Sequence, residues 1–299
     1  MLAVVVGVAS ERRWPERTSG IARRTLVLVV YTVLPIVIFF NLARASFTRN
    51  EELGLVLVFV AIAVTAALAI FASGRIGVSR PARGSILTSS VMGNTGYLGL
   101  PLTAALLGFE QIPEAVLYDT VVTTPLLFLG AFAVGAIFGD TAGETAGQRI
   151  KAFFTRNPPL YAAIAGLIAP ASLAPNIAVD ISRVLIVALL PIGFFAVGAA
   201  LAEEQIETAG RAQDPDSTPR SIGLILILKL IAMPLVLWAI SLPLLDLPDT
   251  YLLLAAMPCG INALIVAHLY GLDHRLTAKA VAWATGVVLV VALAALAVV

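Results

Sequence analysis

Nine apolar runs of roughly twenty residues, each closed by a short cluster of charge, set the rhythm of this chain. They cover Ile21–Ala43, Leu53–Gly74, Ser85–Leu107, Ala115–Phe138, Pro158–Ile177, Ile181–Leu201, Ile222–Leu242, Tyr251–Tyr270 and Ala278–Val299. At about 1.5 Å per residue, such a run crosses a hydrocarbon core of about 30 Å, so each predicts a membrane-spanning helix. A tenth run, Met1–Ser10, is too short to span and stops at Glu11, Arg12 and Arg13. No basic segment precedes it and charge follows at once, which speaks against a cleaved signal peptide and for a shortened first helix.

Composition agrees with the pattern. Of 299 residues, 60% are hydrophobic and 12% charged, and mean hydropathy is +0.98, far too apolar for a soluble chain of this length. The reading is an all-α, multi-pass membrane protein whose surroundings are the lipid bilayer. A net charge of +1 gives no sign of a nucleic-acid partner, and a single cysteine, Cys259, excludes a disulfide framework. Orientation follows from Lys and Arg, which accumulate in cytoplasmic loops. With Met1–Ser10 counted as the first helix, alternate loops hold 15 of them and the opposite loops only Arg44, Arg49 and Arg183. Both termini are therefore expected outside the cytoplasm.

The chain also resembles itself. "VLPIVIFFNLA" from Val33 parallels "LLPIGFFAVGA" from Leu189, aligning Pro35 with Pro191, and Pro101 in "GNTGYLGLP" parallels Pro258 in "AMPCGINALIVA". The two pairs keep almost the same spacing, and an odd number of helices per half inverts the second half. The expected organisation is a five-helix repeat over residues 1–138, a cytoplasmic loop over 139–157, and an inverted five-helix repeat over 158–299.

Three glycines and a proline in the nine residues Gly93–Pro101 are what a helix avoids. An unwound turn survives at membrane depth only where protein or a water-filled cavity satisfies its backbone, so the break faces inward. It exposes a half-helix N-terminus that attracts anions and a C-terminus that attracts cations. The break is expected at Gly96–Pro101, preceded by Asn94 and Thr95, with a second break at Pro258 followed one turn later by Asn262. Two such helices, the fourth and the ninth, crossing near mid-membrane would bring Asn94, Thr95, Gly96, Tyr97, Pro101, Pro258 and Asn262 into one dipolar substrate pocket. The alternative is a proline kink with glycines that let helices pack closely.

"GNTGYLGLP" and "AMPCGINALIVAHLY" resemble the paired signatures of the auxin efflux carrier family, and "VVYTVLPIVIFFNLA", "RNPPLYAAIAGL", "LLPIGFFAVGAAL" and "LKLIAMPLV" resemble its second, sixth, seventh and eighth helices. The resemblance implies a secondary transporter of ten helices in two inverted repeats, moving an organic anion such as a mono- or dicarboxylate by elevator-type alternating access. It further implies a cell-membrane location, scaffold helices one, two, six and seven, a moving unit of helices three to five and eight to ten, and a homodimer through the scaffold. The family's crossing prolines fall on Pro101 and Pro258, its asparagines on Asn94 and Asn262, and its first-helix glycine near Gly7.

Two ionisable residues lie in the apolar runs. Lys229 is about eight residues into the eighth helix, roughly 12 Å deep. It either attracts the anion or holds the moving unit together in place of an ion, or else it bonds carbonyls of a broken helix or snorkels to the surface. Asp119 sits near the outer end of the fifth helix, where it would gate access, relay a proton or simply be solvated. His268 and His274 flank the inner end of helix nine and read as structural or solvated.

Other classes fit less well. "YD" at Tyr118 and "YGLD" at Tyr270 faintly suggest an intramembrane aspartyl protease, but Asp119 and Asp273 are expected on opposite sides of the bilayer, whereas that chemistry needs adjacent carboxylates. No Walker loop or metal-ligand cluster occurs, so ATP-driven pumping by this chain is not expected, and the carrier reading calls for no cofactor, metal or enzyme activity. A sodium-coupled symporter of the bile-acid carrier type is the runner-up, and the lack of an obvious carboxylate beside the broken helices favours proton coupling or uniport instead.

Overall fold

A computed structural model describes residues 2–45, 48–140, 158–208 and 216–298. Nearly all of them are helical, and no strand forms among the described residues. Three helices, Arg49–Ile76, Pro219–Ser241 and His274–Leu296, are long and apolar enough to cross a membrane. The expected cytoplasmic loop over 139–157 lies outside the described residues apart from Gly139 and Asp140. Packing divides the chain into two compact units: Met1–Ser46, Gly96–Thr120 and Arg156–Ala212 form one, and Phe47–Thr95, Val121–Thr155 and Gln213–Val299 the other.

In the first unit, α1 (Leu2–Arg13) runs through the charged residues at which the apolar stretch ends. Next come α2 (Pro15–Leu28), a wider π-helical turn at Val29–Val33, and α3 (Leu34–Leu42). The π turn has a local cause. Pro35 has no N–H to bond the preceding turn, and the helix widens just ahead of it, with the Leu34 N–H donating five residues back to the Val29 carbonyl. Thr95–Gly99 repeats this ahead of Pro101 in α6 (Leu100–Leu106). After α7 (Ile112–Tyr118), the chain of this unit resumes with α9 (Pro158–Ile168).

That helix ends short of the expected Ile177, because Pro170 and Pro175 impose a brief 3-10 turn at Ala171–Leu173. Following it, α10 (Asn176–Thr208) runs unbroken for 33 residues across Pro191. Helix α1 lies along α10, and α9 against α3. Asn41 on α3 is buried and donates to the Val37 carbonyl at 2.8 Å and to Ser182 Oγ on α10 at 3.0 Å.

The second unit is built on α4 (Arg49–Ile76), which Thr48 caps by accepting from the Glu51 N–H at 3.3 Å. Its buried side repeats Gly54, Val58, Ala61, Ile62, Thr65 and Ala69, while Val56, Phe59, Ile70 and Phe71 lie exposed on the rest of its surface, the pattern of a helix with one protein-facing and one lipid-facing side. The unit continues with α5 (Arg80–Val91), α8 (Phe132–Phe138) and α11 (Pro219–Leu226). A π turn at Ile227–Ala232 precedes α12 (Met233–Ser241), which carries Pro234 in its first turn. The remaining helices are α13 (Asp249–Ala255), α14 (Asn262–Tyr270) and α15 (His274–Val298).

Tyr251 on α13 is fully buried and donates to the Glu51 carbonyl at 3.1 Å. Removing that hydroxyl loses one buried hydrogen bond between α13 and α4, worth about 0.5–1.5 kcal/mol. Tyr251→Phe is therefore expected to lower the thermal midpoint while the protein still folds, as read by fluorescence-monitored melting in detergent.

Candidate functional site

Both breaks exist, and the first lies elsewhere than the glycines and proline suggest. Helix α5 stops at Val91; Met92 is extended, with φ −85° and ψ 123°, and the helix resumes at Thr95. Thus Met92–Asn94 is the unwound stretch, and Gly96–Pro101 belongs to the restarted helix. Pro101 does not break it, since the widened turn Thr95–Gly99 just ahead accommodates its missing N–H and the helix continues. The second break runs from the end of α13 at Ala255 to the start of α14 at Asn262. Pro258 lies within this stretch, so it is not a half-helix N-terminus; that position is Asn262.

Within the second unit the two unwound stretches pair with each other. The Asn94 N–H donates to the Pro258 carbonyl at 2.8 Å and the Gly260 N–H to the Met92 carbonyl at 3.0 Å, an isolated antiparallel bridge between Gly93 and Cys259. Each break therefore supplies the backbone partners that the other lost, which is how a non-helical segment stays satisfied away from water. Close approach requires glycine. A Cβ on Gly260 would stand 2.9 Å from the Gly93 oxygen and 3.2 Å from its carbonyl carbon.

The asparagines take matching positions. Asn94 immediately precedes the restart at Thr95, and Asn262 is the first residue of α14. Asn94 is 5% exposed and Asn262 half-buried. Neither side-chain amide has a hydrogen-bond partner among the described residues. Thr95 differs, because its hydroxyl donates to Thr123 Oγ1 at 2.9 Å, tying the restart to the following helix.

Lys229 does not snorkel. It is fully buried in the π turn ahead of α12, and its Nζ donates to the Ala255 carbonyl at 3.0 Å and lies 3.2 Å from Met233 Sδ. Of the readings open from sequence, the geometry matches a lysine bonded to a carbonyl of a broken helix.

Within the first unit, Tyr97 and Pro101 are buried. Asp119, expected near water, is 9% exposed and faces Gly96, whose added Cβ would lie 3.5 Å from Oδ2. Asp273 caps the last helix, accepting from the Leu276 N–H at 2.8 Å, a structural task unlike that of a protease carboxylate. His268 is exposed, and its ring centroid is 6.1 Å from that of His274.

Sequence reasoning missed Gly93, Cys259 and Gly260 as the crossing itself, and Ala255 and Met233 as the partners of Lys229. It also missed a cavity of about 440 Å³ within the first unit, lined in part by Asn41, Arg44, Glu110, Asn176 and Asp180. The only signal for the crossing was the glycine content of "GNTG" and "PCGIN".

Residues 150–296 match a family model described as "Membrane transport protein". An "Uncharacterized transporter" of Methanothermobacter thermautotrophicus is 30% identical over 166 residues, covering 55% of this chain and 50% of the relative. The chain thus spans about half the length of the curated relative it matches. These matches bear out the transporter resemblance read from the residues.

Proposed function

We propose that this chain, whose second half carries the pattern of a membrane transport family, is a secondary carrier that moves a small organic anion, a mono- or dicarboxylate, across the cell membrane. The observation that carries the reading is the pair of mutually hydrogen-bonded helix breaks, each with an unpaired asparagine at its restart. An amide group that makes no bond within the protein is available to a ligand. A carboxylate supplies what is missing, since its oxygens accept from amide groups and suit the N-terminal ends of half-helices.

The rest of the proposal follows the family resemblance. Ten spanning segments form two inverted repeats over 1–138 and 158–299, with both termini outside the cytoplasm. Helices one, two, six and seven serve as a scaffold and dimer contact while the others carry the substrate in an elevator movement. Gly96, Tyr97 and Pro101 shape the restarted helix beside the substrate, and Asp119 stands as a candidate coupling carboxylate. Binding and translocation by residues of this kind require no covalent chemistry, so the chain is read as a carrier rather than an enzyme.

Asn94→Ala and Asn262→Ala are each expected to reduce carboxylate uptake into proteoliposomes by more than about tenfold, equivalent to roughly 1.4 kcal/mol of lost binding. Thermal stability should stay within about 1 kcal/mol of wild type, because no hydrogen bond within the protein is removed. Full transport by either variant, with the substrate identified by ligand-stabilisation screening against mono- and dicarboxylates, would remove the asparagines from the site.

A further inference from the structure

Lys229 brings three irregular pieces of backbone to one point. Its π turn directs the side chain inward, its Nζ reaches the last carbonyl of α13, and a Cβ on Gly93 in the other break would lie 3.4 Å from that nitrogen. The carbonyl is available for a definite reason. At the end of α13 the Leu252 carbonyl accepts from the Ala256 N–H at 3.0 Å and the Leu254 carbonyl from the Met257 N–H at 3.2 Å. The next bond in that tightening series would run from residue 258 to Ala255, and residue 258 is a proline with no N–H. The ammonium takes its place.

Among the described residues the partners of Nζ are the Ala255 carbonyl and the Met233 thioether, and neither is a carboxylate. The positive charge is thus held by the negative end of a half-helix rather than by an acidic side chain. Carbonyls at such ends are the groups that hold free cations in ion-coupled carriers. We infer that the Lys229 ammonium is a tethered cation seated at the crossing between the Ala255 carbonyl and the Met233 thioether, and that removing its side chain opens this site to a small monovalent cation, best a short alkylammonium ion. The inference rests on the carrier reading only in placing this cation beside a transported anion. It makes the positive charge a fixed part of the protein, so wild-type transport does not depend on sodium.

The test uses purified Lys229→Ala and Lys229→Met proteins with n-propylammonium, which replaces the atoms lost in the alanine variant, and with sodium and choline chloride as further arms. Lys229→Ala is expected to show a saturable rise in thermal midpoint of about 5 °C with n-propylammonium, a smaller one with sodium and none with choline. Lys229→Met fills the volume without charge and should respond to none of them, as should wild type. In proteoliposomes, n-propylammonium should restore at least a several-fold part of the transport that Lys229→Ala loses.

An alanine variant that responds alike to all three salts overturns the inference, as does a methionine variant with wild-type transport. If the alanine protein can be recovered only when purified with n-propylammonium or sodium, that dependence supports the site, and failure in both cations counts against it. Melting needs no substrate, so this arm still reports on the cation site if the organic-anion reading fails.

Discussion

Gly260→Ala is expected to abolish transport and to lower the thermal midpoint of the purified protein, although it adds a single methyl group. The new Cβ would stand 2.9 Å from the Gly93 oxygen and 3.2 Å from its carbonyl carbon, and both are backbone atoms. A flexible side chain could swing aside, but this backbone is pinned by the bonds from Asn94 N–H to Pro258 and from Gly260 N–H to Met92. Relief must therefore come from separating the two unwound stretches, which exposes the amides and carbonyls that they satisfy in each other. Overpacking of this kind costs about 1–3 kcal/mol before any hydrogen bond is lost.

Gly223→Ala and Gly286→Ala, in helices of the same unit, are the controls, since nothing lies within 4 Å of a Cβ at either position. Both should be neutral or stabilising by up to about 1 kcal/mol. Melting and proteoliposome uptake compare all three variants directly. A Gly260→Ala protein as stable and active as the controls would show that the crossing is looser than its geometry implies.

The crossing also explains what the sequence could and could not convey. Hydropathy alone placed most of the helices, since apolar runs of that length have few other uses. Glycine and proline content announced two breaks but misplaced the first, because a break lies where a partner strand can bond the freed backbone, and the partner of Met92–Asn94 is the distant Pro258–Gly260. Proline proved ambiguous by itself. Pro35, Pro101 and Pro234 follow widened turns in continuing helices, Pro191 is absorbed in α10, and Pro258 lies in an open stretch.

The asparagines were legible because polar amides in apolar runs are rare, and the structure sets both at helix restarts. Lys229 was visible as an anomaly, but its direction was not. Whether a long side chain snorkels or turns inward depends on which face of its helix packs against protein, and hydropathy does not encode that. Asp119 shows the same limit: its distance from a span end left gating, proton relay and simple solvation open, and the structure places it 9% exposed and facing Gly96.

Gly7→Val should be at least as damaging as the change at Gly260, and it acts in the other unit. Helix α1 meets α10 backbone to backbone at this point. A Cβ on Gly7 would lie 2.3 Å from the Phe195 carbonyl oxygen, 3.0 Å from the Ala199 nitrogen and 3.2 Å from the Gly198 carbonyl carbon. No side-chain rotation relieves such contacts, and the branched valine adds two methyl groups to the clash. Small residues allow this approach because helices in a bilayer associate through close packing rather than through escape from water.

The substitution should therefore pry α1 away from α10, costing about 3 kcal/mol or more. The measured result should be a protein that aggregates in mild detergent or melts far below wild type. Gly20→Ala is the matched control on α2, where nothing lies within 4 Å of an added Cβ. If Gly7→Val melted like that control, α1 would contribute little to the first unit. Its short apolar run would then have to be read as an appendage, and the packing of α10 would have to stand without it.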